Sequence, residues 1–397
     1  MPKISQRAER TPASPIRRLV PYAEAAKKRG IKVHHLNIGQ PDIKTPAAAV
    51  EVLRNANYDV IEYTHSAGTE SYRARLSDFY ATYGIALTAE QLIITNGGSE
   101  ALSFAVLACA DAGDEIIIPE PFYANYNGFS ESTDVHVVAV PSSIDDNFAL
   151  PKAADFERAI TPRTRAILIC NPSNPTGKLY TRDELTQLAN LAIKHDLYLI
   201  ADEVYRDFCY DGAQHISVLS LEGIDNHVVM IDSISKRYSA CGARIGLFAT
   251  RNPTLYAAAM RLAQARLSPS SVTQVLAEAL IDTPKSYFEE VNKEYDARRK
   301  LLLERLSQME GVRYGQPDGA FYLIAELPVA DASEFSQWLL EKFEYRGETV
   351  MFAPASGFYA TAGSGKKEVR IAYVLCAEDL HRAMDCLAAA LKVYGNS

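Results

Sequence analysis

A lysine held in the run Asp232-Ser-Ile-Ser-Lys236-Arg-Tyr-Ser-Ala-Cys-Gly-Ala-Arg244-Ile-Gly246 is the residue of this chain best suited to covalent chemistry with a carbonyl. Partial burial and the neighbouring cations Arg237 and Arg244 favour the neutral amine, which is the form that makes a Schiff base. Two further polar clusters share its setting. Asn171-Pro-Ser-Asn174-Pro-Thr-Gly177 follows the apolar run Ala166 to Cys170, and Asp202-Glu-Val-Tyr205 follows Leu197 to Ala201, as the lysine segment follows Val228 to Ile231. Each apolar run has the length and β-branched content of a buried strand. Loops at the carboxyl ends of parallel strands open on one crevice, so Asn174, Asp202 and Lys236 can meet although 28 and 34 residues separate them.

The elements that must carry these groups alternate along the chain. Residues 1 to 14 read as a loose arm, Ile16 to Arg29 as a helix stopped by Gly30, and Val33 to Ile38 as a short strand before Gly39-Gln-Pro-Asp42. A helix over Ala48 to Ala56 opens at Thr45-Pro46. Strand-like Leu92 to Thr95 then turns through Asn96-Gly97-Gly98-Ser99 into the helix Ala101 to Ala110. Glycines at such a turn let backbone N–H groups face an anion, and Ser99 adds a hydroxyl. Strands over Asp114 to Ile118 and Val135 to Val140 and a helix from Thr181 to His195 complete a strand-then-helix grammar that implies an α/β fold with a mainly parallel sheet. Beyond Gly246 the chain is mostly helical (Pro253 to Arg266, Ser271 to Ile281, Glu289 to Met309). Strands at Gly319 to Ile324, Val350 to Pro354 and Val369 to Val374 and a helix over Glu378 to Val393 follow. Arg370 lies inside the last strand. A guanidinium there must be paired, either in a structural salt bridge or by a carboxylate ligand that matches its planar fork.

Asn171-Pro-Ser-Asn174-Pro-Thr-Gly177, Asp202-Glu-Val-Tyr205, Ser233-Ile-Ser-Lys236 and Arg244-Ile-Gly246, in this order and spacing, resemble the class I/II aminotransferases of pyridoxal-phosphate fold type I. The resemblance runs from about residue 15 to the C-terminus. It implies an N-terminal segment (1–45) packed with the small domain, a large cofactor-binding domain (46–285) with a mainly parallel sheet flanked by helices, and a small α+β domain (286–397). It implies pyridoxal 5'-phosphate attached to Lys236, which also acts as the base at Cα. Asp202 then faces the ring nitrogen, Asn174 and Tyr205 face the phenolic oxygen, and Gly98, Ser99, Ser233 and Arg244 hold the phosphate. Tyr123 stacks on the ring, with Phe122 and Tyr126 as alternatives in a shifted register. The substrate carboxylate falls to Arg370, with Asn174 and the backbone at Gly39 beside it. Tyr63 reaches the phosphate of a neighbouring subunit, which implies a homodimer. The implied activity is reversible amino transfer from an amino acid (aspartate, aromatic or alanine-like) to a 2-oxo acid such as 2-oxoglutarate. A β-eliminating lyase or a non-catalytic module of the same fold are the alternatives.

The chain departs from both aspartate-selective patterns of the family. It has no arginine between Ser268 and Thr273, and it has serine at Ser99 where one subgroup carries lysine; Arg17, Arg18 and Arg266 remain as cations for a distal carboxylate. Composition bounds the rest. A net charge of −8 with 23% charged residues argues against nucleic acid or an anionic membrane as the main partner. Six cysteines without a C-x-x-C pair read as thiols in a reducing compartment, and eight histidines without H-x-x-x-H give no zinc site, leaving His34-His35 as a strand edge. No stretch approaches the roughly 18 apolar residues of a membrane span, and the basic, polar N-terminus has no apolar core, so the expected location is the cytoplasm.

Overall fold

The computed structural model describes residues 2–11 and 14–394. Its thirteen strands are β1 (Lys32–His35), β2 (Leu92–Thr95), β3 (Glu115–Glu120), β4 (His136–Pro141), β5 (Thr164–Cys170), β6 (Tyr198–Asp202), β7 (Val228–Ser233), β8 (Gly246–Ala249), β9 (Arg313–Tyr314), β10 (Tyr322–Glu326), β11 (Glu348–Met351), β12 (Ala353–Pro354) and β13 (Glu368–Ala372). Seven form one sheet in the order β2-β8-β7-β6-β5-β3-β4, in which only β8 runs against its neighbours. Four more form an antiparallel sheet, β12-β13-β10-β9, while β1 pairs in parallel with β11. The polypeptide before the large sheet is therefore tied to the segment that follows residue 340.

The strands of the large sheet are apolar at nearly every position because both faces are covered. Along β5, Ala166, Leu168 and Cys170 enter one core, and Ile167 and Ile169 enter the other. Side chains alternate across a strand, so an unbroken apolar run is what a sheet buried on both faces requires. The covering helices start where the sequence signals them. Thr181 caps the helix Arg182–Lys194 in a box with Glu184, and Asn252 caps the helix Pro253–Ala265.

Most expected elements recur with ends shifted by a few residues. The N-terminus differs more. Residues 15–19 form turns and the helix begins only at Val20, because Pro21 suits the first helical turn and not its interior. The expected loose arm contains a helical turn, Gln6–Arg10, whose Arg7 and Arg10 pair with Asp134 and Glu131; its positions 1, 12 and 13 lie outside the described residues. His34 and His35 end the edge strand β1, as expected, but His34 is not exposed there. It is buried against Glu348, with Nε2 2.8 Å from the carboxylate. Among the described residues there is no cluster of metal-ligating side chains, and no helix is long and apolar enough to cross a membrane.

Candidate active site

The pairing of β5 with β6 sets Cys170 opposite Asp202, and that of β6 with β7 sets Asp202 opposite Ile231. The three polar clusters consequently leave one edge of the sheet together. They open on a cavity of about 560 Å³ lined by Gly39, Gly98, Ser99, Tyr123, Asn174, Asp202, Tyr205, Ser233, Lys236, Arg244 and Arg370. Of the residues singled out in the sequence for the site, Tyr63 lies elsewhere, as do the alternative stacking rings Phe122 and Tyr126 and the cations Arg18 and Arg266. Tyr63 is 79% exposed on the surface of this chain.

Lys236 sits on the single helical turn Ile234–Arg237 that follows β7. Its Nζ donates to the carbonyl of Gly39 at 2.8 Å and lies 5.9 Å from the centre of the Tyr205 ring. Burial, reinforced by the charges of Arg370 and Arg244 against the opposing pull of Cys241 and Asp202, lowers its pKa to about 8. Arg237 does not belong to this effect, contrary to the expectation from its position. Its guanidinium turns away to Asp232, 2.7 Å from Nη2, and to Asp207, because a fully buried arginine needs carboxylate partners and these lie beneath the site. Tyr80 donates to the same Asp232 oxygen at 2.7 Å, and the other Asp232 oxygen accepts from the Ser233 backbone at 2.7 Å. This buried network fixes the turn that carries Lys236.

Asp202 is 4% exposed and accepts a hydrogen bond of 2.8 Å from the Tyr126 hydroxyl. Burial raises its pKa to about 6 despite that bond and the contact from the Val204 N–H. The sequence offers Tyr126 only as an alternative stacking ring. Its hydroxyl is committed to Asp202, and Phe122 packs behind it at 6.2 Å, while Tyr123 is the one of the three that faces the cavity. Tyr205 shares a hydrogen bond of 2.9 Å with Tyr322, which lies in the expected strand Gly319 to Ile324. Tyr322, Ser235 and Cys241 also line the cavity. Ser235 and Cys241 sit inside the run around Lys236, which is the signal that marks them, and Tyr322 lies in a strand that the sequence marks by its apolar residues alone.

Anion-binding groups stand at two ends. Gly97, with φ +78°, and Gly98 turn β2 into the helix Gly98–Cys109, whose free N–H groups face the cavity beside Ser99, Ser233 and Arg244. A Cβ on Gly97 would lie 2.3 Å from Arg244 Nη2, and one on Gly246 would lie 2.3 Å from the Gly97 carbonyl carbon. The glycines are what allow the turn, β8 and the guanidinium to approach this closely. At the other end Arg370, 1% exposed, donates from Nη1 to Asn174 Oδ1 at 3.1 Å and from Nη2 to the Asn37 carbonyl at 2.6 Å. Its Nε has no partner, its guanidinium lies 4.5 Å from the centre of the Tyr322 ring, and no carboxylate of the described residues pairs with it. A structural salt bridge is thus not what Arg370 serves. A buried cation without an acid, opening on a cavity, has the charge and the free donor to pair with an anion that enters it.

The arrangement therefore joins an amine poised near neutrality, a buried carboxylate, two anion receptors and a flat aromatic wall. The family model described as aminotransferase class I and II matches residues 31–387. A bifunctional aspartate aminotransferase and glutamate/aspartate-prephenate aminotransferase from Petunia hybrida is 30% identical over 390 residues, covering 93% of this chain and 78% of the relative. The structure of aspartate aminotransferase from Thermus thermophilus with maleate superposes with a TM-score of 0.89 at 28% identity, covering 98% of this chain and all of that one. Alanine aminotransferase from Pyrococcus furiosus gives 0.90 at 30% identity, with 98% and 100% covered. Members of this family generally depend on pyridoxal phosphate. The chain belongs to the class I and II aminotransferases, and it is an enzyme that transfers amino groups.

Proposed function

We propose that this enzyme uses pyridoxal 5'-phosphate to move an amino group from an L-amino acid to a 2-oxo acid such as 2-oxoglutarate. The observation that carries the reading is the buried Lys236 amine, with its pKa near 8, in one cavity with Asp202, Asn174, Arg244 and Arg370. The residues suit the cofactor. Lys236 is where its aldehyde carbon would attach, Asp202 is an acid buried deeply enough to pair with a protonated ring nitrogen, and the Gly98 turn with Ser99, Ser233 and Arg244 is an anion cradle. The unpartnered Nε of Arg370 further suits a site that is completed by a ligand. Bound, the cofactor supplies a conjugated cationic ring that accepts electrons from the substrate's Cα.

The side chains do the rest. Tyr123 would provide the stacking face, and Asn174 and Tyr205, which line the same cavity, would donate to the ring oxygen. Arg370, with Asn174 and the Gly39 backbone beside it, orients the amino acid by its α-carboxylate so that Cα faces Lys236. Lys236, neutral in a fraction of molecules near pH 7, is the base that would take the Cα proton and hold it at Nζ for return. Burial excludes water, and proximity makes each transfer intramolecular.

The same reading makes the enzyme a cytoplasmic homodimer with Tyr63 reaching the phosphate of the other subunit. The exposed Val60, Ile61 and Tyr63 are in keeping with a surface that a second copy covers. It also divides the chain into the large domain 46–285 and the small domain 286–397, with residues 1–45 packed against the latter. The test is a titration of the cofactor-loaded protein with single amino acids and no oxo acid. Amino transfer converts the bound cofactor to its amine form and yields one equivalent of 2-oxo acid without ammonia. Continuous ammonia release would instead identify a lyase.

A further inference from the structure

Behind the site lies a group of buried polar atoms that the reading above does not use. Glu203 stands between Asp202 and Val204, and its side chain turns away from the cavity that those two line. It is fully buried. Its Oε1 accepts from the Ser217 hydroxyl and from the Val218 N–H, both at 2.9 Å. Its Oε2 has no hydrogen-bond partner, and neither has Nε2 of His215, 3.6 Å away, whose side chain is 5% exposed. Two buried polar atoms left open toward each other are costly unless a proton joins them.

The bonds already made decide where that proton sits. The Asn171 backbone accepts from the His215 ring. Nε2 is the nitrogen without a partner, so the donor is Nδ1, and the neutral ring presents a lone pair at Nε2. An ionised Glu203 would set a second lone pair against it. Burial, with the charges of Arg206 and Arg237 added, presses His215 well below its ordinary pKa. Burial raises Glu203 to about 7, and Arg206, Val218 and Ser217 offset the rise only in part. Arg206 is not a close partner. Its Nη1 lies 3.8 Å from Glu203 Oε2 and 3.9 Å from Asp232 Oδ2, and its guanidinium sits 4.5 Å from the centre of the Tyr83 ring. Asp232 in turn is taken by Arg237, Tyr80 and the Ser233 N–H. The carboxyl is therefore the carrier of the proton, and the imidazole its acceptor.

The pair spans the segments that carry the site. His215 holds the backbone at Asn171, three residues before Asn174, and the Asn171 N–H donates to the Asp202 carbonyl at 3.0 Å. The Glu203 N–H donates to the Ile231 carbonyl of β7 at 2.8 Å, and its carboxyl grips the turn Val218–Ser220. We propose that Glu203 and His215 are positioning residues of the active site, joined by one proton between Oε2 and Nε2, which fix Asn174, Asp202 and Tyr205 relative to one another. The roles of those three side chains rest on the aminotransferase reading. The shared proton does not.

The test uses Glu203→Gln and His215→Leu. Glutamine keeps an oxygen for Ser217 and Val218 and offers Nε2 of His215 a permanent donor, so it imitates the protonated acid. A group whose pKa is raised in the folded state contributes its stability below the unfolded value and loses it as pH rises through the folded one. The thermal midpoint of ligand-free Glu203→Gln should thus lie within about 2 °C of the parent's near pH 5.5 and exceed it by at least about 3 °C near pH 8.5. Asp202 titrates in both proteins and drops out of the difference. A difference that does not grow with pH would overturn the shared proton, and a constant loss in the variant would mark a carboxylate paired with Arg206. The positioning role is read from the affinity for pyridoxal 5'-phosphate near pH 5.5. Glu203→Gln should stay within about threefold of the parent, while His215→Leu, which strands the proton without an acceptor, should lose at least about 10-fold. Parent-like affinity in His215→Leu would overturn that role. If the loaded parent converts no amino acid, the aminotransferase reading fails, while the pH dependence of the midpoints still decides the proton.

Discussion

Replacing Asp202 by asparagine should stabilise the ligand-free protein while disabling the enzyme. Burial holds the Asp202 carboxyl at about 6, against an ordinary 3.8, and Tyr126, the Val204 N–H and the charge of Lys236 offset it only in part. A group whose pKa is raised in the folded state contributes its stability below the unfolded value and loses it as pH rises through the folded value. The displacement corresponds to about 3 kcal/mol, lost between about pH 4 and pH 6. Asparagine keeps an oxygen for the Tyr126 hydroxyl and does not titrate. Urea unfolding of the two ligand-free proteins from about pH 4 to pH 8 should therefore show a difference that grows with pH in favour of Asp202→Asn, by up to about 3 kcal/mol. Loading the cofactor should reverse the order, because a cationic ring nitrogen turns the buried carboxylate from a cost into a partner, and turnover of Asp202→Asn should fall at least about 100-fold. A stability difference that does not change with pH would refute the burial of an ionising carboxylate at this position. A loaded variant that turns over like the parent would refute its pairing with the ring.

Three further outcomes follow from the geometry. In Gly39→Ala the new Cβ would fall 1.6 Å from the Tyr322 hydroxyl, which is bonded to Tyr205; displacement of that pair should cost about 100-fold in kcat with a circular dichroism spectrum like the parent's, and an unchanged kcat would show that the Tyr205–Tyr322 contact does not matter. Arg370→Lys keeps the charge but loses the fork that engages Asn174 and Asn37, so KM for all amino-acid donors should rise about 10- to 100-fold; unchanged KM values would return Arg370 to a structural role. Cofactor capture by the ligand-free protein needs the neutral Lys236 amine, so its rate should climb as pH passes about 8 and level off above that, and a rate flat across this range would contradict the depressed amine.

Local runs made much of this site readable in the sequence. Asn174, Asp202 and Lys236 each stand within four residues of a strand end, and a parallel sheet brings such ends together whatever the length of chain between them. The glycines at 97, 98 and 246 were legible for the same reason, since a turn of this kind needs them. What stayed hidden depends on contacts between distant residues. Nothing near Tyr126 announces that its hydroxyl meets Asp202, 76 positions away. Arg237 adjoins Lys236 in sequence, yet successive side chains on a helical turn point about 100° apart, and Asp207 and Asp232 beneath the site capture it. The docking of the N-terminal segment through Asn37 is a side chain to backbone contact and leaves no periodic trace.

The most direct measurement is the exchange of the substrate's Cα hydrogen with deuterated solvent, compared between the cofactor-loaded parent and Lys236→Ala. In the proposed function Lys236 is the amine that moves this proton, so the parent should wash deuterium into Cα of a donor such as alanine. The variant should do so at least about 1,000-fold more slowly, with partial recovery when a small primary amine is added. Exchange in Lys236→Ala at the parent's rate would contradict the account.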